Sequence, residues 1–143
     1  MANHSNNGSK PCCRPTCDMA GVEQELSAFY TCKTSRDGHR SVCKRCMQKE
    51  RATYTKRAKD AAFEAYGGYK CVCCGEANPK FLTLDHINGG GRANRRNQSG
   101  IGFYVWLRNN NYSADLQVLC YNCNCGRAHN NGVCPHKELE HET

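Results

Sequence analysis

Two cysteine pairs of identical CxxC spacing, Cys71/Cys74 and Cys120/Cys123, constrain this chain more than any other feature. A CxxC turn sets two thiolates on adjacent corners of a tetrahedron, so two such turns complete a zinc shell and exclude water. Between the pairs lies an apolar run, Phe81-Leu82-Thr83-Leu84, that ends in Asp85-His86. Thirteen of the 143 residues are cysteine, near the level at which composition signals a cysteine-stapled scaffold. Only 38% of the chain is apolar even with cysteine counted, and the mean hydropathy is -0.79, so a large hydrophobic core is not expected. A fold of this kind needs a metal or disulfides to be stable.

The N-terminus, Met1 to Lys10, has no apolar signal-peptide core, and nothing there directs the chain to a compartment where disulfides persist. An odd number of cysteines also cannot all pair within one chain, whereas metal sites leave spare thiols without difficulty. Metal thiolates are therefore the expected staple. No stretch approaches the roughly eighteen apolar residues of a membrane span, and the expectation is a cytoplasmic protein with no membrane partner. Lys and Arg number 20 against 13 Asp and Glu, for a formal charge of +7. That balance favours a polyanionic partner such as nucleic acid, although a merely soluble basic surface accounts for it equally well.

Residues 1–11 offer nothing to bury and read as a disordered tail. Residues 12–46 form a first cysteine module, in which Cys43-Lys44-Arg45-Cys46 has zinc-knuckle spacing. Its partners are Cys17 and either Cys13 or Cys12, and Cys13, Cys17, Cys43 and Cys46 are taken as the second zinc set. Residues 47–68 read as a basic helical linker that stops at Gly67-Gly68. Met47, Tyr54, Ala58, Ala61 and Ala65 give it a modest apolar stripe, and its basic residues, Lys56 and Arg57 among them, read as those of a solvated spacer or of a helix that tracks phosphates.

Residues 69–136 make the second module, and 137–143 a tail. Phe81 to Ile87 and Leu116 to Leu119 read as strands, Ile101 to Asn109 as a short helix covering their hairpin, and Tyr121 to His129 as a last helix. Arg92, Arg95 and Arg96 lie in the polar loop between the strands, as phosphate clamps or as a solvated loop.

Asp85 and His86 are adjacent on a strand and so face opposite ways. They suit separate tasks, one side chain holding a hard cation and the other taking a proton from water, but a surface strand end whose Asp caps the turn at Asn88-Gly89 is the plainer reading of the dipeptide alone. Asn124 follows Cys123 directly, so the zinc that holds Cys120 and Cys123 also fixes its position. Its amide oxygen suits Mg²⁺ or Mn²⁺, and the alternative is a helix N-terminal residue satisfying backbone donors. Cys125, His129, Cys134 and His136 offer donors for a further metal site or simply pack a C-terminal turn.

Cys71-x2-Cys74-Gly75, Leu84-Asp85-His86-Ile87-Asn88, Leu116-Gln117-Val118-Leu119-Cys120-x2-Cys123-Asn124 and Cys134-Pro135-His136 together resemble the HNH endonucleases, also called ββα-metal or His-Me finger enzymes, and especially their small phage-type members. Phe29-Tyr30, Asp37-Gly38-His39-Arg40-Ser41 and Cys43-Lys44-Arg45-Cys46 resemble the zinc-ribbon-like module often fused ahead of them. The resemblance implies an α+β protein: a small zinc-stabilised ββα-metal domain preceded by a zinc-ribbon-like module and a helical linker. It implies structural Zn²⁺, one ion or two, and a catalytic Mg²⁺ or Mn²⁺ held by Asp85 and Asn124, with His86 as the general base. Many members have a final His at the place of Asn124; the recombination endonuclease VII type of junction resolvase has Asn there. Asp115 stands where the family usually has its middle Asn, a departure that leaves a non-catalytic DNA-binding or assembly protein as the alternative. DNA is the implied partner, a homodimer is open, and a phage-encoded protein would act in the host cytoplasm.

Overall fold

The computed structural model describes residues 8–89 and 100–138, which fall into two compact units divided between Tyr54 and Thr55. It is a small α+β structure of short antiparallel sheets and helices. Among the described residues no helix is long and apolar enough to cross a membrane.

In the N-terminal unit, β1 (Ser9–Pro11) pairs antiparallel with β2 (Glu23–Glu25), and β3 (Phe29–Thr31) with β4 (His39–Cys43). The tail expected over 1–11 therefore ends early, because Ser9–Pro11 find ladder partners in Glu23–Glu25. The β3–β4 connection turns at Gly38, whose φ of 75° only glycine adopts without strain, and Cys32 N–H donates to its carbonyl at 2.7 Å. Asp37 supports the turn by accepting from His39 N–H at 3.0 Å, and Lys10 holds its carboxyl below the usual carboxylate range. The core is Phe29 surrounded by Cys12, Cys17, Cys43 and Cys46. One buried aromatic ring offsets little of the conformational entropy of ordering such a unit, and the four thiols could hold a structural zinc that would make up the difference.

Helix α1 (Lys44–Ala65) begins directly after Cys43 and runs into the C-terminal unit. The expectation of a separate linker over 47–68 is corrected here. Ala62 and Phe63 are fully buried in C-terminal core clusters, and Phe63 stacks on Tyr69 with ring centroids 4.4 Å apart. The expected stripe is also displaced, since Tyr54, Ala61 and Ala65 are exposed. Between Cys46 and Ala62 no residue of the helix is buried, and a long solvated stretch carries little amphipathic signal to read. The helix ends as Gly68 N–H reaches back to the Phe63 carbonyl at 2.8 Å, with Gly67 and Gly68 both at positive φ.

In the C-terminal unit, β5 (Leu82–His86) pairs antiparallel with β6 (Leu116–Cys120), from Leu82 opposite Cys120 to His86 opposite Leu116. Helix α2 (Ile101–Asn109) buries Leu107 against Leu116 and Ala62, as expected of a helix covering the hairpin. Helix α3 (Tyr121–His129) starts where β6 stops, and α4 (Pro135–Glu138) lies beyond it. Lys137 and Glu138 thus belong to a helix rather than to a C-terminal tail.

Candidate functional site

Cys71, Cys74, Cys120 and Cys123 bring their sulfur atoms within 4.8 Å of one another, as the CxxC spacing predicts. Cys71 and Cys74 lie on a turn closed by a hydrogen bond from Gly75 N–H to the Cys71 carbonyl at 3.0 Å, with Gly75 at φ 77°. Cys120 caps α3: its sulfur accepts from Cys123 N–H at 3.4 Å. The Cys74 and Cys120 sulfurs are 3.7 Å apart. A tetrahedral shell with Zn–S of about 2.3 Å has S···S edges of about 3.8 Å, so the four sulfurs fit a structural zinc. Burial raises the Cys71 thiol, but the backbone N–H groups of Cys74, Cys120 and Cys73 outweigh it and bring it down to about 6. Burial and the surrounding thiols push Cys123 up instead. Thiolates packed this closely repel one another, and a divalent cation at their centre is what allows all four to ionise.

The N-terminal set is Cys12, Cys17, Cys43 and Cys46, not one containing Cys13. Cys12 is buried and accepts from Cys43 N–H at 3.3 Å, while its neighbour Cys13 is exposed. Consecutive residues in an extended bridge point to opposite sides, and Cys12 is the one that pairs with Ala20 and faces inward. The Cys17 and Cys43 sulfurs are 3.8 Å apart, again a tetrahedral edge. None of the thirteen cysteines is in a disulfide.

Asp85, His86 and Asn124 line one cleft of about 360 Å³, together with Ile87, Asn88 and Arg127. Asp85 and His86 are the last two residues of β5, and Gly89 N–H donates to the His86 carbonyl at 3.1 Å, so the chain turns directly after the pair. Asp85 does not cap that turn. Its Oδ2 accepts from Arg127 Nη1 at 2.7 Å, in a pair whose side chains are only about one-fifth exposed. Asn124 does not cap α3 either, since Cys120 does so and Asn124 lies a turn further on.

Arg127 is the site residue that sequence reasoning missed. It binds the carbonyls of His86 (3.3 Å) and Ile87 through its terminal nitrogens and that of Gly132 (2.9 Å) through Nε. The available signal was its place three residues after Asn124, on the same helix face. Asp115 ties down the other side of the turn: its carbonyl accepts from Ile87 N–H at 2.8 Å, and its carboxylate from the Ser113 hydroxyl at 2.5 Å. The carbonyl contact is one that Asn at this position would make equally.

Of the candidate phosphate-binding residues, Arg92, Arg95 and Arg96 lie outside the described residues. Lys56 and Arg57 are exposed on α1, with Lys56 paired to Asp60 at 2.6 Å. Of Cys125, His129, Cys134 and His136, weighed as donors for a further metal site or as packing of a C-terminal turn, Cys134 and His136 gather with Cys73 and Cys123, while Cys125 is exposed. No family model, curated protein or solved structure matches the chain.

Proposed function

We propose that the protein is a metal-dependent DNA endonuclease, hydrolysing phosphodiester bonds on a ββα-metal scaffold with His86 as the general base. The observation that carries this reading is that Asp85, His86 and Asn124 line one cleft, with Asn124 one residue beyond Cys123 of the four-cysteine group. Asp85 and Asn124 are the hard oxygen donors suited to one Mg²⁺ or Mn²⁺. Such an ion, when bound, offsets the charge that builds on the phosphoryl and leaving oxygens. His86, as the neutral imidazole, accepts a proton from the attacking water at a ring nitrogen. Arg127 fixes the carboxylate of Asp85 by holding Oδ2 and leaves Oδ1 as the donor for the cation. Arg92, Arg95 and Arg96, with Lys56 and Arg57, supply positive charge for the DNA backbone.

A second reading, a non-catalytic DNA-binding or assembly protein on the same scaffold, is favoured by one contact. The Arg127 guanidinium already neutralises Asp85, as a cation would. The two readings separate in one experiment. Protein dialysed against metal-free buffer, with its zinc content verified, is incubated with supercoiled plasmid and with branched DNA. Added Mg²⁺ or Mn²⁺ is expected to give nicked or linear products with 5′-phosphate and 3′-hydroxyl ends. DNA binding that weakens steeply with salt, with no product in either ion, would establish the second reading in its place.

A further inference from the structure

Cys123 belongs to two donor groups at once. Besides Cys71, Cys74 and Cys120, its sulfur lies within 4.8 Å of the donor atoms of Cys73, Cys134 and His136. His136 Nδ1 is 3.4 Å from the Cys123 sulfur and 3.5 Å from that of Cys134. A tetrahedral zinc with Zn–S of about 2.3 Å and Zn–N of about 2.1 Å has S···N edges of about 3.6 Å, so both separations fit one shell. Cys123 is fully buried and Cys134 nearly so. Four chain segments converge here: the Cys71–Cys74 turn, the end of β6, α3, and the turn into α4.

We propose that these seven side chains form a binuclear zinc–thiolate cluster, with the Cys123 sulfur bridging one ion held by Cys71, Cys74 and Cys120 and a second held by Cys73, Cys134 and His136. A bridge is the arrangement that gives each ion four protein donors. Without it, the second ion would keep three and leave a corner open to water. Charge also permits it. A single Zn²⁺ with four thiolates carries a net −2, and two Zn²⁺ with six thiolates and a neutral imidazole carry the same −2, so the second ion adds no buried charge.

The backbone is shaped for this approach. Gly126 lies inside α3, where glycine weakens a helix. A Cβ there would come within 3.0 Å of Pro135 Cδ, and its absence lets the Cys134–His136 turn seat against the helix. The second ion would clamp that turn, and with it Gly132, whose carbonyl accepts from Arg127 in the cleft wall. None of this depends on whether the cleft is catalytic.

The test uses the full chain loaded with ¹¹³Cd²⁺ in place of zinc. The expected spectrum has three cadmium resonances, two in the all-thiolate range and one in the three-sulfur, one-nitrogen range, the last showing scalar coupling to one of the others through the shared sulfur. Two all-thiolate resonances alone, or a mixed-donor resonance with no coupling, would overturn the proposal. In parallel, native mass spectrometry of the zinc protein is expected to fall from three ions in the parent to two in the double variant Cys134→Ser/His136→Ala, and to stay at three in Cys125→Ser. Retention of three ions by the double variant would contradict the cluster. If that variant fails to fold, the cadmium spectrum of the parent still decides.

Discussion

In the N-terminal unit, the thiols of Cys12, Cys17, Cys43 and Cys46 close around Phe29, and the helix that leaves them presents Met47, Gln48 and Lys49. In the C-terminal unit, the thiols of Cys71, Cys74, Cys120 and Cys123 sit beside Phe63, Leu82, Val118 and Leu119, and the helix that leaves them carries Asn124 and Arg127, which line a cleft with Asp85 and His86. The staple is alike in the two units, but the helix leading away from it carries different side chains. A cleft of about 330 Å³ in the N-terminal unit is lined by residues such as Arg14, Arg40, Met47 and Glu50, without a carboxylate, imidazole and amide together. Around the N-terminal thiols the charged neighbours pair at the surface, as Arg45 and Lys49 do with Asp18. Each four-cysteine group thus brings separate chain segments together, and the two units differ in the side chains that the following helix carries.

The largest effect expected in either unit is loss of its staple. Cys120→Ser removes both a thiolate and the cap of α3. Structural zinc contributes on the order of 10 kcal/mol to small metal-folded domains, so circular dichroism and zinc analysis should show the C-terminal unit unfolded and its metal lost. A folded variant with full zinc content would mean that the apolar core suffices there, and that the two units are not stapled alike. Next comes the choice of ligand in the N-terminal unit. Cys12→Ser should cost that unit its zinc, while Cys13→Ser, at an exposed position, should change the thermal midpoint little; the reverse outcome would restore Cys13 to the shell. A smaller effect is expected from Arg127→Ala, which breaks a largely buried ion pair and the bonds to three carbonyls. Denaturant titration should register a loss of about 1–3 kcal/mol with zinc content unchanged. A loss near zero would mean that the pair with Asp85 does not hold the cleft together.

Sequence made the local features of the C-terminal unit legible. The helices Ile101–Asn109 and Tyr121–His129 have the bounds read from the sequence, the first from its run of apolar residues and the second from its start directly after Cys120. The first thiolate set was equally legible, since CxxC spacing encodes its own geometry. Strands of three residues such as β1 and β2 were not, because so short a segment shows no alternation. Nor could spacing choose between Cys12 and Cys13, where the turn is longer than CxxC and the direction of each side chain depends on the bridge to Ala20. Arg127 lies 42 residues from its partner Asp85, and Cys73 and His136 meet only after four segments converge. Contacts of that range arise from the assembled fold rather than from any local pattern.

Whether the residues at the end of β5 act on DNA is tested most directly by plasmid cleavage in Mg²⁺ or Mn²⁺, comparing the parent with His86→Ala. The variant's rate is expected to fall by about 10²- to 10⁴-fold, as for loss of a general base, with zinc content and circular dichroism unchanged. Cleavage by His86→Ala at the parent's rate would contradict a role for this imidazole in the reaction.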